Sequence, residues 1–423
     1  MVYVILVGGL IIGLPIALAI LAALLFFMAT GEPPYHLRAV ATQMFSGMNS
    51  FPLLAIPLFI LAGELMNASG ITSRIIAFSK LMVGRLRGGL AHVNIWASVV
   101  FAGLSGSAVA DTSALGRVFI PEMEKEGYPR DFAAALTAAS SVIGPIIPPS
   151  IPVIIYALIV SGVSVPALFL AGIVPGLLLA LFLSGYVMIF AGKYQKKAAP
   201  KPAGEKRKIL LDGIVPLFMP VFVVGSILLG IVTPTEAAAF AVAYALLAGM
   251  LYFRELGWRD LPSIFSRTMV DSAVIMTIIG AVAAANWLLT YNRIPNLITD
   301  MVLAYISVEW TFLLAIIVLF LIVGLFLEGI AAMLVLVPIL HPIAMSLGID
   351  PVHFGIVVIF NLMIGLITPP MGLCLFVADS VAKVGLARLS LRVLPLFLVQ
   401  LLVLLIITFV PATVTGLPRL LGY

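Results

Sequence analysis

Long apolar stretches separated by short polar turns dominate this chain and restrict its fold. Nine of them match the roughly 20 residues that an α-helix needs to cross a bilayer, at residues 2–28, 51–68, 132–160, 165–191, 213–232, 236–253, 269–290, 352–378 and 392–412. The 423 residues are 63% hydrophobic and 10% charged, whereas about 25% of a soluble domain is charged. The alternation typical of a membrane β-barrel is not visible. The sequence therefore predicts an all-α, polytopic membrane protein.

The most polar segment, residues 193–208, is a linker with the sequence KYQKKAAPKPAGEKRK. The linker contains seven lysine or arginine residues and one glutamate. Together with Arg74, Lys80, Arg85 and Arg87, these basic residues mark the cytoplasmic side by the positive-inside rule. Counting spans from these loops predicts a multi-pass protein of the bacterial inner membrane, with a cytoplasmic N-terminus and a periplasmic C-terminus. Because the net charge of +5 is concentrated here, we expect a lipid membrane, and no nucleic acid, as a partner.

Two further apolar regions, residues 88–120 and 309–342, are interrupted in the middle. The first contains Gly-Leu-Ser-Gly-Ser at 103–107, and the second contains Glu328 and Gly329. Such clusters predict re-entrant helical hairpins, whose non-helical tips are tolerated at membrane depth only against protein or a wet cavity.

An internal repeat relates the two halves of the chain. The motif GPIIPP at 144–149 recurs as GLITPP at 365–370, an offset of 365 − 144 = 221 residues. The same offset pairs the glycines 103 and 324, the prolines 121 and 342, and the glycines 127 and 348. These glycine and proline matches at one offset, in the order hairpin, short loop and broken helix, indicate a duplicated unit.

The repeat divides the chain into residues 1–192, the linker 193–208, and residues 209–423. Each half is predicted to hold scaffold helices, one hairpin (88–120 or 309–342) and one broken helix (132–160 or 352–378). An odd number of predicted spans separates the hairpins, so the second would enter from the opposite side and the repeats would be inverted. Secondary transporters are often built from inverted repeats and bind their ligands at the repeat interface.

The proline-rich motifs explain why these helices must break. Prolines 145, 148 and 149 each lack a backbone donor and clash with the preceding turn. The break leaves carbonyl groups at the end of one half-helix and N–H groups at the start of the next. Carbonyl and hydroxyl oxygens suit Na⁺, and the positive start of a half-helix attracts a carboxylate.

Each predicted cage combines one hairpin tip with one broken helix. The candidate sodium ligands of the first cage are Ser105, Gly106, Ser107, Gly144 and Pro148. Those of the second cage are Glu328, Gly329, Gly365, Thr368 and Met371. The candidate substrate contacts are Ser105, Ser107, Ser150 and Thr368. Two cages predict at least two Na⁺ ions with an anionic carboxylate between them, and no organic cofactor.

Acidic residues in or beside apolar stretches are further candidates, because a carboxylate in lipid is costly and usually functional. They are Asp111, Glu236, Asp271, Glu328 and Asp379. Membrane-interface positions are the alternative for several of them. Residues 34–48 and 256–269 are amphipathic, which predicts arms lying at the interface.

An intramembrane enzyme is a weaker alternative. The sequence Gly-Leu-Ser-Gly at 103–106 fits the pattern of rhomboid-type serine proteases, with His341 or His353 as a partner for the serine. That interpretation leaves the repeat and both Pro-Pro pairs unexplained, so we expect no enzymatic activity. A pure channel is a third possibility, although paired broken helices favour alternating access.

Four segments carry a resemblance to a known family. They are FAGLSGSAVADTSALG, IPEMEKEGYPRDFAAALTAASSVIGPIIPPS, IVTPTEAAAFAVAYALLAG and LGIDPVHFGIVVIFNLMIGLITPPMGLCLFVAD. Together they resemble the large membrane subunit, or DctM-like subunit, of TRAP (tripartite ATP-independent periplasmic) transporters, over nearly the whole chain.

This resemblance implies a member of the ion-transporter superfamily that works as an elevator and uses a sodium gradient. It implies two protein partners, a small four-helix membrane subunit and a periplasmic binding protein that delivers a carboxylate such as a C4-dicarboxylate or sialic acid. A stand-alone sodium/dicarboxylate symporter of the same superfamily is the runner-up. Such symporters carry Ser-Asn-Thr at both hairpin tips, whereas this chain has Ser-Gly-Ser at 105–107 and Glu-Gly-Ile at 328–330.

Overall fold

A computed structural model shows a bundle of α-helices joined by short turns. It describes residues 5, 8–9, 12–30, 37–160, 162–194, 203–306, 308–325 and 327–423, and contains no β-strand within these ranges. The side chains of Leu104 and Ser105 lie outside the description.

The first half contains nine helices in the described ranges. They are α1 (Ile16–Thr30), α2 (Leu37–Met48), α3 (Ala55–Ala68), α4 (Ile71–Val83), α5 (Gly89–Ser105), α6 (Ala108–Glu126), α7 (Arg130–Ser141), α8 (Ile151–Ile159) and α9 (Val165–Phe190). A short 3₁₀ turn, Phe51–Leu54, leads into α3.

The second half begins after the basic linker. Its helices are α10 (Ala203–Leu228), α11 (Pro234–Leu247), α12 (Leu261–Tyr291), α13 (Ile294–Tyr305), α14 (Glu309–Gly324), α15 (Gly329–Ser346), α16 (Pro351–Gly365), α17 (Leu373–Ala382), α18 (Leu386–Phe409) and α19 (Ala412–Leu420). A π-helical turn, Ala248–Tyr252, extends α11.

Seven helical segments of the described chain are long and apolar enough to cross a membrane. They are Phe51–Ala68, Val165–Phe190, Ile209–Leu228, Pro234–Tyr252, Leu261–Tyr291, Gly329–Ser346 and Leu386–Phe409. Shorter apolar helices, including α1, α5, α14, α16 and α17, pack among them. The predicted all-α, polytopic class is confirmed.

Both halves contain a helix pair followed by an interrupted helix. In the first half α5 packs on α6, and α7 and α8 are the two parts of the interrupted helix; α14 to α17 follow the same order in the second half. The starts of α6 and α15 differ by 329 − 108 = 221 residues. The two halves thus share one arrangement, while its inversion across the membrane stays a prediction.

The helix pairs extend beyond their predicted ends, to Glu126 and Ser346. Pro121 and Pro342 lie inside α6 and α15, since a helix can lose one backbone hydrogen bond and continue. The end of α6 comes instead at Gly127, whose φ of 99° lies in the left-handed region that favours glycine.

Of the two amphipathic arms predicted at the membrane interface, one forms a separate helix and the other does not. Residues 37–48 of the first form the separate helix α2, whereas residues 31–36 lie outside the described part. The second arm, residues 256–269, is not a separate element, because its helical residues are the first turns of α12. Pro262 lies at the start of that helix, where a proline is compatible with helical geometry.

A buried polar cluster holds the first hairpin against its interrupted helix. The Nδ2 group of Asn94 in α5 donates to Oγ1 of Thr137 in α7 at 2.7 Å. One turn further along α5, the Ser98 hydroxyl donates to the Ser140 hydroxyl at 3.0 Å. These four side chains are buried, and a buried hydrogen-bonded network favours one packing arrangement.

The second half uses a related contact. Asn361 occupies the position equivalent to Ser140, because 361 − 140 = 221. Its Nδ2 group donates to the backbone oxygens of Ile316 and Ile317 in α14, at 3.4 and 3.0 Å. In both halves, therefore, polar contacts join the first hairpin arm to the helix that precedes the break.

We predict that Asn94→Ala destabilises the protein by about 2 kcal/mol, because it removes the buried hydrogen bonds of the Asn94 amide with Thr137 and Ser140. Thermal unfolding of the purified, detergent-solubilised protein measures the effect. The control is Asn67→Ala: Asn67 is exposed and accepts a hydrogen bond from Thr72 at 3.1 Å, so its loss should change stability by less than about 0.5 kcal/mol. Equal shifts for both variants would contradict the proposed role of the cluster.

Candidate functional site

The first break lies between Ser141 and Ile151 and is almost fully buried. Tight turns replace the helix there, with the N–H of Gly144 donating to the Ser141 carbonyl at 3.1 Å. The Ser150 hydroxyl contacts the Pro145 carbonyl and accepts from the Val153 N–H at 3.3 Å, which caps α8. The break therefore places hydroxyl and carbonyl oxygens beside the start of a new helix, as the sequence predicts.

The tip of the first hairpin lies against this break. Gly106 ends α5 with a φ of 59°, and a Cβ atom at this position would lie 3.1 Å from the Pro149 carbonyl oxygen. Ser107 caps α6 by accepting from the Ala110 N–H at 3.4 Å. Ser105 is the last residue of α5. The structure thus brings Gly106 next to the broken helix of its own half.

Asp111 adds a carboxylate to this contact. It lies in the first turn of α6 and is 0% exposed. A Cβ atom on Gly144 would overlap its Oδ2 atom, so the carboxylate lies directly against the break. A negative charge in such a place favours a bound cation. Of the predicted acidic candidates, Asp111 is the one that the fold places at the first break.

The second break lies between Gly365 and Leu373. The Thr368 hydroxyl donates to the Ile364 carbonyl at 2.9 Å, and the Thr368 carbonyl accepts from the Gly372 N–H at 3.1 Å. The peptide bond between Pro369 and Pro370 is cis, as is the one between Pro148 and Pro149 in the first break.

The second hairpin also contacts its own broken helix. Glu328 caps α15 by accepting from the Ala331 N–H at 3.2 Å. A Cβ atom on Gly329 would lie 3.1 Å from Cε of Met363, and one on Gly324 would lie 3.0 Å from Cα of Gly365. The hairpin therefore approaches the end of α16 closely.

The two halves interlock. Helix α17 of the second half packs on α6 and α7 of the first, and α8 of the first packs on α15 and α16 of the second. At this junction the Cys374 side chain lies within hydrogen-bonding reach of Thr112, the neighbour of Asp111. Sequence reasoning missed this contact, because the two residues are far apart in the chain and in different halves.

The two tips differ in exposure. Gly144, Pro148 and Ser150 of the first break are buried, whereas Met371 of the second is 47% exposed. Glu328 is also exposed. Among the described residues, the second tip and its break therefore reach the molecular surface more than the first break does.

Two acidic candidates have structural roles. Glu236 and Thr233 form a reciprocal capping box at the start of α11, with the Thr233 N–H donating to Glu236 Oε2 at 2.7 Å. Asp379 accepts from the N–H groups of Val384 and Gly385 at 3.0 and 2.8 Å, which closes the turn after α17. These hydrogen bonds are sufficient to explain why both carboxylates are present.

The chemistry of the donors fits a monovalent cation. No group of three or more histidine, cysteine, aspartate or glutamate side chains that could hold a metal ion occurs among the described residues. The breaks instead provide backbone and hydroxyl oxygens, with Asp111 beside the first. Oxygen donors with little formal charge suit Na⁺ better than a transition metal.

Comparisons with known proteins identify the family. The family model for the DctM component of the tripartite ATP-independent periplasmic transporter matches residues 1–413. The large permease protein SiaM of a Vibrio cholerae sialic acid TRAP transporter is 40% identical over 419 residues, 98% of this chain and 97% of its own. The large permease protein DctM of a Rhodobacter capsulatus C4-dicarboxylate TRAP transporter is 37% identical over 426 residues, covering 97% and 96%.

Two further comparisons are with a longer relative and with a solved structure. The isethionate TRAP transporter permease protein DctMQ of Oleidesulfovibrio alaskensis is 40% identical over 406 residues, which are 95% of this chain but 64% of that protein. The crystal structure of the Alcanivorax borkumensis YdaH transporter has the same fold, with a TM-score of 0.63 at 17% identity, over 93% of this chain and 97% of that one. The chain therefore belongs to the DctM family, the large membrane component of TRAP transporters, and is a transport protein rather than an enzyme.

Proposed function

We propose that this chain is the large transmembrane subunit of a sodium-driven importer for an organic acid. The observation that carries the proposal is the pairing of each interrupted helix with the hairpin of its own half, described above for Gly106 with Pro149 and for Gly324 with Gly365. Relatives named for sialic acid and C4-dicarboxylate transport support a carboxylate substrate.

The two Na⁺ ions would bind where each tip meets its break. In the first half, Ser105, Gly106 and Ser107 would combine with oxygens of Gly144 and Pro148. Asp111, buried against Gly144, would balance the positive charge. In the second half, Glu328 and Gly329 would combine with the segment from Gly365 to Met371, including Thr368.

The carboxylate would lie between the two breaks. The starts of α8 and α17 lie beside these breaks, and a helix start attracts an anion through its dipole. Ser107, Ser150 and Thr368 would add hydroxyl groups. Free access through the exposed second tip would let the substrate reach this region.

Alternating access would move the interlocked unit of α5–α8 and α14–α18 as one body. Its contacts across the two halves, such as α17 on α6, favour a rigid unit. The remaining long helices would form the scaffold, with a small four-helix membrane subunit beside it in the inner membrane. A periplasmic binding protein would deliver the substrate, the N-terminus being cytoplasmic and the C-terminus periplasmic.

Removing a candidate hydroxyl ligand tests the sodium sites. We expect Ser105→Ala and Thr368→Val each to raise the Na⁺ concentration for half-maximal uptake by about ten-fold, equivalent to about 1.4 kcal/mol of lost binding energy. Uptake of radiolabelled carboxylate into proteoliposomes, at several Na⁺ concentrations, measures this.

Thr408→Val is the matched control for the threonine. Thr408 lies in α18 and, like Thr368, donates to the carbonyl four residues earlier, at 2.7 Å. Its loss should leave the Na⁺ dependence unchanged. An unaltered Na⁺ dependence in both Ser105→Ala and Thr368→Val would refute the proposed cages.

Delivery by a binding protein gives a separate prediction. Proteoliposomes containing this chain and its small membrane subunit should accumulate substrate only when the periplasmic binding protein is added, because the tripartite system hands the substrate over in bound form. The measurement compares uptake with and without that protein at equal substrate concentration. Uptake by the chain alone would favour the stand-alone symporter.

A further inference from the structure

A single amide side chain interrupts the long apolar stretch of α18. Between Val393 and Ile407 this helix consists of apolar residues except for Gln400. Gln400 lies about 21 Å from the start of the 24-residue helix and is 0% exposed. A polar side chain at such a depth is costly unless it has a specific partner.

The partner of Gln400 lies in the other half of the chain. Its Nε2 group donates to the Ala139 carbonyl in the last turn of α7 at 2.8 Å. The orientation of the amide follows from this contact, because a carbonyl oxygen can only accept. The Oε1 atom, in contrast, is buried and has no hydrogen-bond partner among the described residues. Since a buried acceptor without a partner costs stability, the donor end of Gln400 accounts for an amide at this position.

The Ala139 carbonyl needs this donor because the first break begins there. In a continuous helix the N–H of Ile143, four residues later, would donate to it. The Ile143 N–H instead donates to the Ser140 carbonyl at 3.1 Å, in the first tight turn of the break. The amide of Gln400 thus takes the place of a backbone donor that the break has removed.

The second half offers an internal comparison, because it has a leucine at the equivalent position. The starts of α18 and α9 differ by 386 − 165 = 221 residues, so Gln400 corresponds to Leu179, since 400 − 221 = 179. Helix α16 continues to Gly365, the equivalent of residue 144, whereas α7 ends at Ser141. The helix that receives the glutamine therefore ends 144 − 141 = 3 residues earlier than its counterpart.

We propose that Gln400 is a positioning residue for the first sodium site; the identity of the ion rests on the proposed function. By satisfying the Ala139 carbonyl, Gln400 keeps the break out of the helical register and Gly144 against Asp111. Without it, the Ile143 N–H would return to the Ala139 carbonyl and the helix would lengthen. Gly144 would then move away from the carboxylate. The second half thus sets the geometry of the ion site in the first.

The sodium dependence of two variants tests this role. Gln400→Met keeps the length of the side chain and removes its donor, whereas Gln400→Asn keeps the amide but is one methylene shorter than the contact with Ala139 requires. Uptake of radiolabelled carboxylate is measured in proteoliposomes that contain the complete transporter, with choline chloride replacing NaCl at constant ionic strength. Both variants should raise the Na⁺ concentration for half-maximal uptake at least about five-fold, with the maximal rate within about two-fold of wild type.

A second measurement follows ion binding rather than transport. An ion that binds the folded state raises its unfolding temperature, so the Na⁺ concentration that produces a fixed shift reports affinity in the purified, detergent-solubilised protein. This concentration should rise for both variants. In choline chloride alone, their unfolding temperatures should stay within about 3 °C of wild type, because the Ile143 N–H can satisfy the Ala139 carbonyl.

Tyr244→Phe is the matched control. The Tyr244 hydroxyl donates to the Val215 carbonyl of the neighbouring helix α10 at 2.7 Å. The variant therefore also removes a side-chain donor from a backbone carbonyl of another helix, but in helices that contain neither break. Its Na⁺ dependence should equal that of the wild type in both measurements.

Lower stability of the Gln400 variants with a wild-type Na⁺ dependence would give this residue a purely structural role and overturn the proposal. A wild-type Na⁺ dependence of Gln400→Asn beside a defect of Gln400→Met would also overturn it, because polarity rather than the contact with Ala139 would then matter. If Ser105→Ala alters the Na⁺ dependence and the Gln400 variants do not, the proposed sodium sites stand and only the role of Gln400 is refuted. If Ser105→Ala and Thr368→Val are unaltered as well, the sodium sites themselves are refuted.

Discussion

A helix that stops inside a membrane leaves backbone groups that lipid cannot satisfy, and this constraint shapes the whole molecule. The chain stops two helices in this way, after Ser141 and after Gly365. Each break is covered by protein from the hairpin of its own half, through close contacts that only glycine permits, such as Gly324 on Gly365. Most other features of the fold can be understood as means of keeping those tips in place.

The polar clusters provide one such means. Asn94 and Ser98 bind α5 to α7 within about one turn of the first break, and Asn361 binds α16 to α14 before the second. Non-directional apolar packing alone would let the helices slide along one another. A buried hydrogen bond fixes the register, because moving by one residue would leave both partners unsatisfied. The hairpin tip therefore contacts the break at a defined position along the helix axis.

The interlocking of the two halves connects the first break and its hairpin with the second break and its hairpin. Because α17 packs on α6, and Cys374 lies next to Thr112, we expect a shift at the second break to displace the hairpin that covers the first. An ion that orders the first tip would therefore also influence the second. In a transporter, this arrangement would link ion binding to substrate binding without a direct contact between the two ligands.

Much of this could be predicted from the sequence, because proline and glycine act locally. The breaks at 144–149 and 365–370 and the glycine-containing tips follow from the residues that lie there. The capping role of Glu236 was also readable, since Thr233 stands three residues before it, yet the apolar surroundings suggested function instead. The contacts of Asp111 with Gly144 and of Thr112 with Cys374 depend on tertiary packing between distant segments, so no local pattern reveals them.

The positions of the acidic residues distinguish structural carboxylates from candidate functional ones. Glu236, Asp379 and Asp350 each accept backbone N–H groups at the end of a helix or in a turn, and Asp131 pairs with Arg388 at 3.0 Å. These carboxylates complete the fold. Asp111 differs because it is buried against a break. Under the proposed function, a Na⁺ ion bound beside Gly144 would lie close to the carboxylate of Asp111 and balance its charge.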